Sequence, residues 1–165
     1  MEYLMVIFGY LVGSIPCGLV VGRIAGIDVR ASVLPMFVAS WLLTDSAIVW
    51  VYATGGAAFL GHLYPLYLKF RGGKGVASAL GVFMYIQPVA VVFCLVLFVC
   101  IVKISGYVSL GSLLASALMP VFVWFLDGIG PAFYLALFVA VFIWLKHHEN
   151  IHRLLNHEEN SLKKR

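Results

Sequence analysis

Lys69-Phe70-Arg71-Gly72-Gly73-Lys74-Gly75-Val76-Ala77-Ser78 sets three cations and three glycines between two strongly apolar segments. Glycine allows the backbone to approach a ligand closely and present its N–H groups, while Lys and Arg supply charge. At a membrane–water boundary this combination suits an anionic headgroup or a phosphate. The position of its cations also fixes how the apolar segments on either side must run.

Hydrophobic residues make up 63% of the 165-residue chain and charged residues 11%, with a mean hydropathy of +1.04. Such a composition predicts an integral membrane protein, with room for one bundle over residues 1–165 and no soluble domain. Apolar runs extend over Tyr3 to Gly22, Ala31 to Thr44, Ser46 to Leu68, Val76 to Ile86, Val89 to Val102, Tyr107 to Leu126 and Pro131 to Leu145. If every run crosses and the N-terminus lies outside, all 11 Lys and Arg residues fall on the cytoplasmic side. The outer loops then carry only Glu2, Asp45 and Asp127. The expected fold is an all-α polytopic membrane helix bundle of about seven segments, six full and one shortened, N-out and C-in. Residues 146–165 form a cytoplasmic tail. Met1-Glu2-Tyr3 offers no basic n-region, so the first run reads as a retained helix.

Two runs are short for a span of ~20 residues, Ala31 to Thr44, with Pro35 inside, and Val76 to Ile86. Removing the former as a crossing would place Lys69, Arg71 and Lys74 outside, so charge argues for a crossing where length argues against one. Cys17, Cys94 and Cys100 lie in apolar runs without ligand spacing and read as small buried hydrophobes. In the first run, Gly9-x-x-x-Gly13 and Gly18-x-x-x-Gly22 are close-packing spacings. Gly13-Ser14-Ile15-Pro16 interrupts it, either as a packing kink or with backbone groups near Ser14 facing a cavity.

Intramembrane polar groups are costly and therefore stand out as candidates. His62, seven residues before Lys69, reads either as a hydrogen-bonded packing residue or as part of a site roughly 10 Å inside the membrane. In Lys146-His147-His148-Glu149-Asn150-Ile151-His152-Arg153, helical spacing puts His147 and Asn150 on one face, joined by Arg153. A basic juxtamembrane tail would explain Lys163-Lys164-Arg165 but not these neutral polar groups. The four nearby histidines lack a His-Glu-x-x-His pattern, which argues against a metal site. Nor is the glycine stretch a Walker P-loop, since no buried strand precedes it. It reads as a helix N-terminus whose backbone donors and dipole face water, or as a plain turn.

Gly61-His62-Leu63-Tyr64-Pro65 running into the Lys69–Ser78 stretch resembles the central motif of the bacterial acyl-phosphate:glycerol-3-phosphate acyltransferases, seven-helix membrane enzymes of phospholipid synthesis. Gly13-Ser14-Ile15-Pro16-Cys17-Gly18 is similar to that family's first-helix signature, and Tyr107-Val108-Ser109-Leu110-Gly111-Ser112 to its serine-bearing segment. His147 to Leu155 with Glu159 resembles its C-terminal motif. The resemblance covers nearly the whole chain, with two departures. About thirty-five residues are absent between Arg30 and Ala31, including a loop that the family uses at its active site, and His157 stands where the family usually has glycine.

The resemblance implies acyl transfer from an acyl phosphate to the 1-hydroxyl of glycerol 3-phosphate, giving lysophosphatidic acid and phosphate at the cytoplasmic face of the plasma membrane. It implies His147 and Asn150 as catalytic residues. Substrate and phosphate binding would fall to Lys69, Arg71, Gly72, Gly73, Lys74, Gly75, Ser78, Ser14, Arg30, Ser109, Ser112, His62 and Glu159. The partners implied are glycerol 3-phosphate, acyl phosphate and the lipid bilayer, with no nucleic acid, metal or organic cofactor. Two alternatives stand beside it: an inactive shortened relative that binds lipid phosphate or membrane partners, and a small anion-binding transporter.

Overall fold

The structure, a computed structural model, describes residues 2–15, 30–42 and 48–163. All regular structure among these residues is helical, and the chain divides into two compact units, Met1–Ile86 and Gln87–Arg165.

The first unit contains α1 (Glu2–Gly13), α2 (Arg30–Leu42), α3 (Ile48–Leu63), a 3-10 turn (Leu66–Leu68) and α4 (Val76–Ile86). Small residues let its backbones meet. A side-chain carbon added at Gly9 would lie 2.7 Å from the Thr54 carbonyl oxygen, one at Gly13 would strike the Ala58 backbone, and one at Gly61 would lie 2.9 Å from the Ser14 nitrogen. Tyr3 stacks edge-on against Trp50 at 4.9 Å. Contacts that advance together along both helices mean that α1 and α3 run parallel, as two crossings separated by a third must. The short α2 lies between them in the chain and packs on both α3 and α4. Gly55 on α3 faces Met36 of α2 and Val82 of α4, so three helices meet there over the buried Phe59, Val82 and Phe83.

Gly13→Leu tests this contact. With backbone on the far side the helices must separate, so the variant should lose about 1–3 kcal/mol of stability and melt earlier in detergent. An unchanged melting temperature would contradict the close approach of α1 and α3.

The second unit is an antiparallel series: α5 (Pro88–Ser105), α6 (Val108–Asp127), α7 (Pro131–Lys146) and α8 (His148–Leu155). Gly111 of α6 sits against Phe98 and Val102 of α5. At the opposite end of that hairpin Gln87 donates to Asp127 at 2.5 Å, and Trp144 Nε1 ties α7 to the Leu113 carbonyl at 3.2 Å. Between α7 and α8 the axis turns by 61°. Cys94 is buried beside Ala115 and Met119, as a small hydrophobe should be, but Cys100 is exposed. Cys17 lies outside the described residues.

The protein is an all-helical integral membrane protein. Among the described residues α5 and α6 are each long and apolar enough to cross a membrane, and α7 with α8 makes a third if the bent pair is one span. The run Ser46 to Leu68 does not continue as one helix. It ends at Leu63 because Pro65 supplies no N–H to the ladder, which puts His62 in the last turn of α3 rather than two turns before the helix end.

Candidate functional site

In the first unit the chain leaves α3 through a tight double turn. The N–H groups of Leu68 and Phe70 donate to the Pro65 carbonyl at 3.2 and 3.0 Å, and that of Arg71 to Leu68 at 3.1 Å. Lys69 and Phe70 adopt left-handed backbone angles, φ 52° and 63°, which cost non-glycine residues about 1–2 kcal/mol each. This strained corner sends Arg71 to Gly75 back across the end of α3. Tyr10 holds the corner from α1, its hydroxyl donating to the Tyr64 carbonyl at 2.8 Å.

Gly72 lies so close to that end that a side-chain carbon would sit 2.6 Å from the Leu63 oxygen and 2.5 Å from Pro65 Cδ. One at Gly73 would meet only the His62 ring, 2.8 Å from Nε2. Gly75, φ +83°, packs on Phe59 and Leu63 and accepts from Ala79 at 2.8 Å, opening α4. Among the described residues the N–H groups of Gly72, Gly73, Lys74 and Gly75 have no backbone acceptor. Around them Lys69, Arg71 and Lys74 are exposed and Ser78 is buried in the first turn of α4. The structure thus brings His62 together with the glycines. Ser14 is fully buried and its hydroxyl donates to the Tyr10 carbonyl at 2.8 Å; Pro16, on which the kink depends, lies outside the described residues. Arg30 opens α2, but its side chain lies outside the described residues.

In the second unit the 61° bend places His147 between α7 and α8. Its Nδ1 lies 2.8 Å from the Ile143 carbonyl; a carbonyl only accepts, so the neutral ring carries its proton on Nδ1 and Nε2 is the acceptor nitrogen. One turn on, Asn150 Nδ2 donates to Glu159 Oε1 at 2.7 Å, and Arg153 Nε donates to Glu159 Oε2 at 2.8 Å. Burial works against the charge on Glu159. The bonds from Arg153 and Asn150, the Ser109 hydroxyl and the guanidinium charge outweigh it and hold the carboxyl down at about 2. Ser109 Oγ is buried beside this cluster.

One atom of this cluster points to chemistry. Asn150 Oδ1 is buried and accepts from nothing among the described residues. Because Glu159 claims the amide nitrogen, the oxygen is what Asn150 offers to a donor. Ser112 instead donates to the Val108 carbonyl at 3.0 Å within its own helix. Helical spacing in the sequence puts Arg153 on the face of His147 and Asn150 but gives it no task; its task is to neutralise Glu159. The other histidines turn to separate partners, His148 to the Leu145 carbonyl and His152 to Asn156. Residues 148–155 form a helix and residues 156–163 a folded return.

His157 has φ +59°, a conformation in which glycine is unstrained and histidine is not. His157→Gly should stabilise the protein by up to about 1 kcal/mol, read as a higher melting temperature; a lower one would contradict the strain.

The family profile described as glycerol-3-phosphate acyltransferase matches residues 31–157. The chain is 37% identical to the glycerol-3-phosphate acyltransferase of Desulfotalea psychrophila, over all of both chains. It is 38% identical to that of Geobacter sulfurreducens, over 98% of each. The alignment to the first runs over 197 positions against the 165 residues of this chain, so it requires gaps on this side. Their extent agrees with the shortening expected after Arg30, and the profile match starts at the next residue. Among solved structures, the integral membrane glycerol 3-phosphate acyltransferase PlsY (YgiH) in its lysophosphatidic acid form superposes with a TM-score of 0.87. It is 28% identical, over 97% of this chain and 94% of that one. Its glycerol 3-phosphate form gives 0.85 at 28% identity, covering 98% and 95%.

Proposed function

The chain belongs to the glycerol-3-phosphate acyltransferase family, and we propose that it transfers a fatty acyl group from an acyl phosphate to the 1-hydroxyl of glycerol 3-phosphate. The observation that carries the reading is the buried, unpartnered Asn150 Oδ1 on an amide fixed by Glu159. It is suited to accept from a substrate hydroxyl and aim the oxygen lone pair. The new bond forms between that oxygen and the acyl carbon, the carbon–oxygen bond to phosphate breaks, and phosphate leaves with the electron pair. His147 Nε2 takes the hydroxyl proton. Because phosphate is a good leaving group, no covalent acyl-enzyme is needed.

In the first unit Lys69, Arg71, Lys74 and the N–H groups of Gly72 to Gly75 bind a substrate phosphate, with Ser78 at the helix start. His62 braces the glycines, and Ser14 acts through packing. Ser109 and Ser112 line the start of α6, and Arg30 belongs to the same substrate-binding set. The chain is N-out and C-in, acts as one domain in the plasma membrane, and works at the cytoplasmic face.

The test is phosphate release from an acyl phosphate by purified protein, with and without glycerol 3-phosphate. Release that depends on the acceptor is expected. No release from a folded protein that still binds glycerol 3-phosphate would favour the second reading, a binding relative inactivated by its shortening, which the gapped alignment gives reason to keep.

A further inference from the structure

We infer that the segment after α8 is a positioning strap: Ser161 to Lys163 clamp onto the turn between α5 and α6 and thereby hold Glu159 on Asn150. The consequence for catalysis rests on the acyltransferase reading, whereas the geometry lies wholly within the second unit. The Leu162 N–H donates to the Gly106 carbonyl at 2.9 Å, and Lys163 Nζ to the Ile104 carbonyl at 2.5 Å. Ser161 Oγ accepts from the Lys163 N–H at 3.2 Å, which closes the local loop.

Gly106 is fitted to this contact. Its φ of +83° ends α5, its N–H donating to Val102 at 2.8 Å. A side chain there would strike Ser161 and lie 3.2 Å from Lys163 Cγ. On the other side, Glu158 N–H bonds the Arg153 carbonyl at 2.8 Å. Glu159 therefore sits on a short bridge between two backbone anchors, with one residue between it and Ser161. Its carboxylate reaches Asn150 because both ends of that bridge are fixed.

The strap decides which end of an amide the substrate meets. With Glu159 in place, Asn150 must give its nitrogen to the carboxylate and keep its oxygen for a hydroxyl. With Glu159 withdrawn, the amide is free to turn over and present a donor where an acceptor is needed.

Leu162→Pro removes the anchoring N–H, and Gly106→Ala disturbs the same contact from the turn. Leu162→Ala keeps the N–H and trims a side chain that is 65% exposed. The strap predicts that the first two raise the midpoint of the Glu159 carboxyl, followed by 13C NMR in detergent, upward from about 2. They should also raise KM for glycerol 3-phosphate about tenfold with little change in KM for acyl phosphate, while Leu162→Ala changes neither. An unmoved Glu159 midpoint in both disruptive variants, or the same loss in Leu162→Ala, would overturn it. If the wild-type chain transferred no acyl group, the functional reading would fall by itself, and the carboxyl titration alone would still decide the strap.

Discussion

Glu159→Gln should lower kcat/KM for acyl transfer about a hundredfold, the largest loss expected from removing one charge. The carboxylate accepts from Asn150 and Arg153, and hydrogen bonds to charged groups are worth about 1.5–3 kcal/mol each. A neutral amide keeps one acceptor oxygen and brings an N–H that competes with Arg153 or Asn150. Asn150 then loses the bond that orients it. Steady-state kinetics check this, and a loss below about threefold would show that Asn150 does not depend on Glu159. The wild-type protein should show the matching pH dependence. A carboxyl lowered in the folded state stabilises fully above its unfolded value near 4.3. That contribution is lost as pH falls toward the folded value of about 2. Between those values, thermal stability should fall more steeply with acid in the wild type than in Glu159→Gln; parallel curves would contradict the ionised Glu159.

Gly72→Ala should be far more damaging than Gly73→Ala, although the two glycines are adjacent. The added carbon at 72 meets the Leu63 carbonyl and the Pro65 ring, neither of which can yield, whereas at 73 it meets the tip of the His62 ring. Forcing the backbone apart costs about 1–3 kcal/mol and lifts the segment that carries Lys74 and the N–H groups of Gly72 to Gly75. Glycerol 3-phosphate or acyl phosphate affinity should fall at least about tenfold in Gly72→Ala, and only a few-fold in Gly73→Ala as His62 swings aside. Equal effects at the two positions would mean that the loop does not pack on α3 as described.

Residues with little choice announce themselves in the sequence: Gly9 and Gly13 mark a close helix contact, and His147 and Asn150 share a face through their three-residue spacing. What stays hidden there depends on chain reversals. Hydropathy does not register that Pro65 ends α3 at Leu63, because Leu66 and Leu68 keep the stretch beyond it apolar. Nor can it show that Leu162 returns to Gly106, a contact between residues far apart in sequence and carried by backbone atoms. Charge alone could pair Arg153 with Glu159, but the bend after Lys146 and the turn after Leu155 decide that they meet. His157 is visible as an oddity, and its positive φ gives the reason.

The most direct test of the account follows labelled acyl phosphate through a single turnover by the reconstituted protein, with glycerol 3-phosphate present and absent. Direct transfer predicts one 1-acyl-glycerol 3-phosphate per phosphate released, no label on the protein without acceptor, and loss of product in Asn150→Ala. Acyl label retained on the protein, or its appearance only as free fatty acid, would contradict the account.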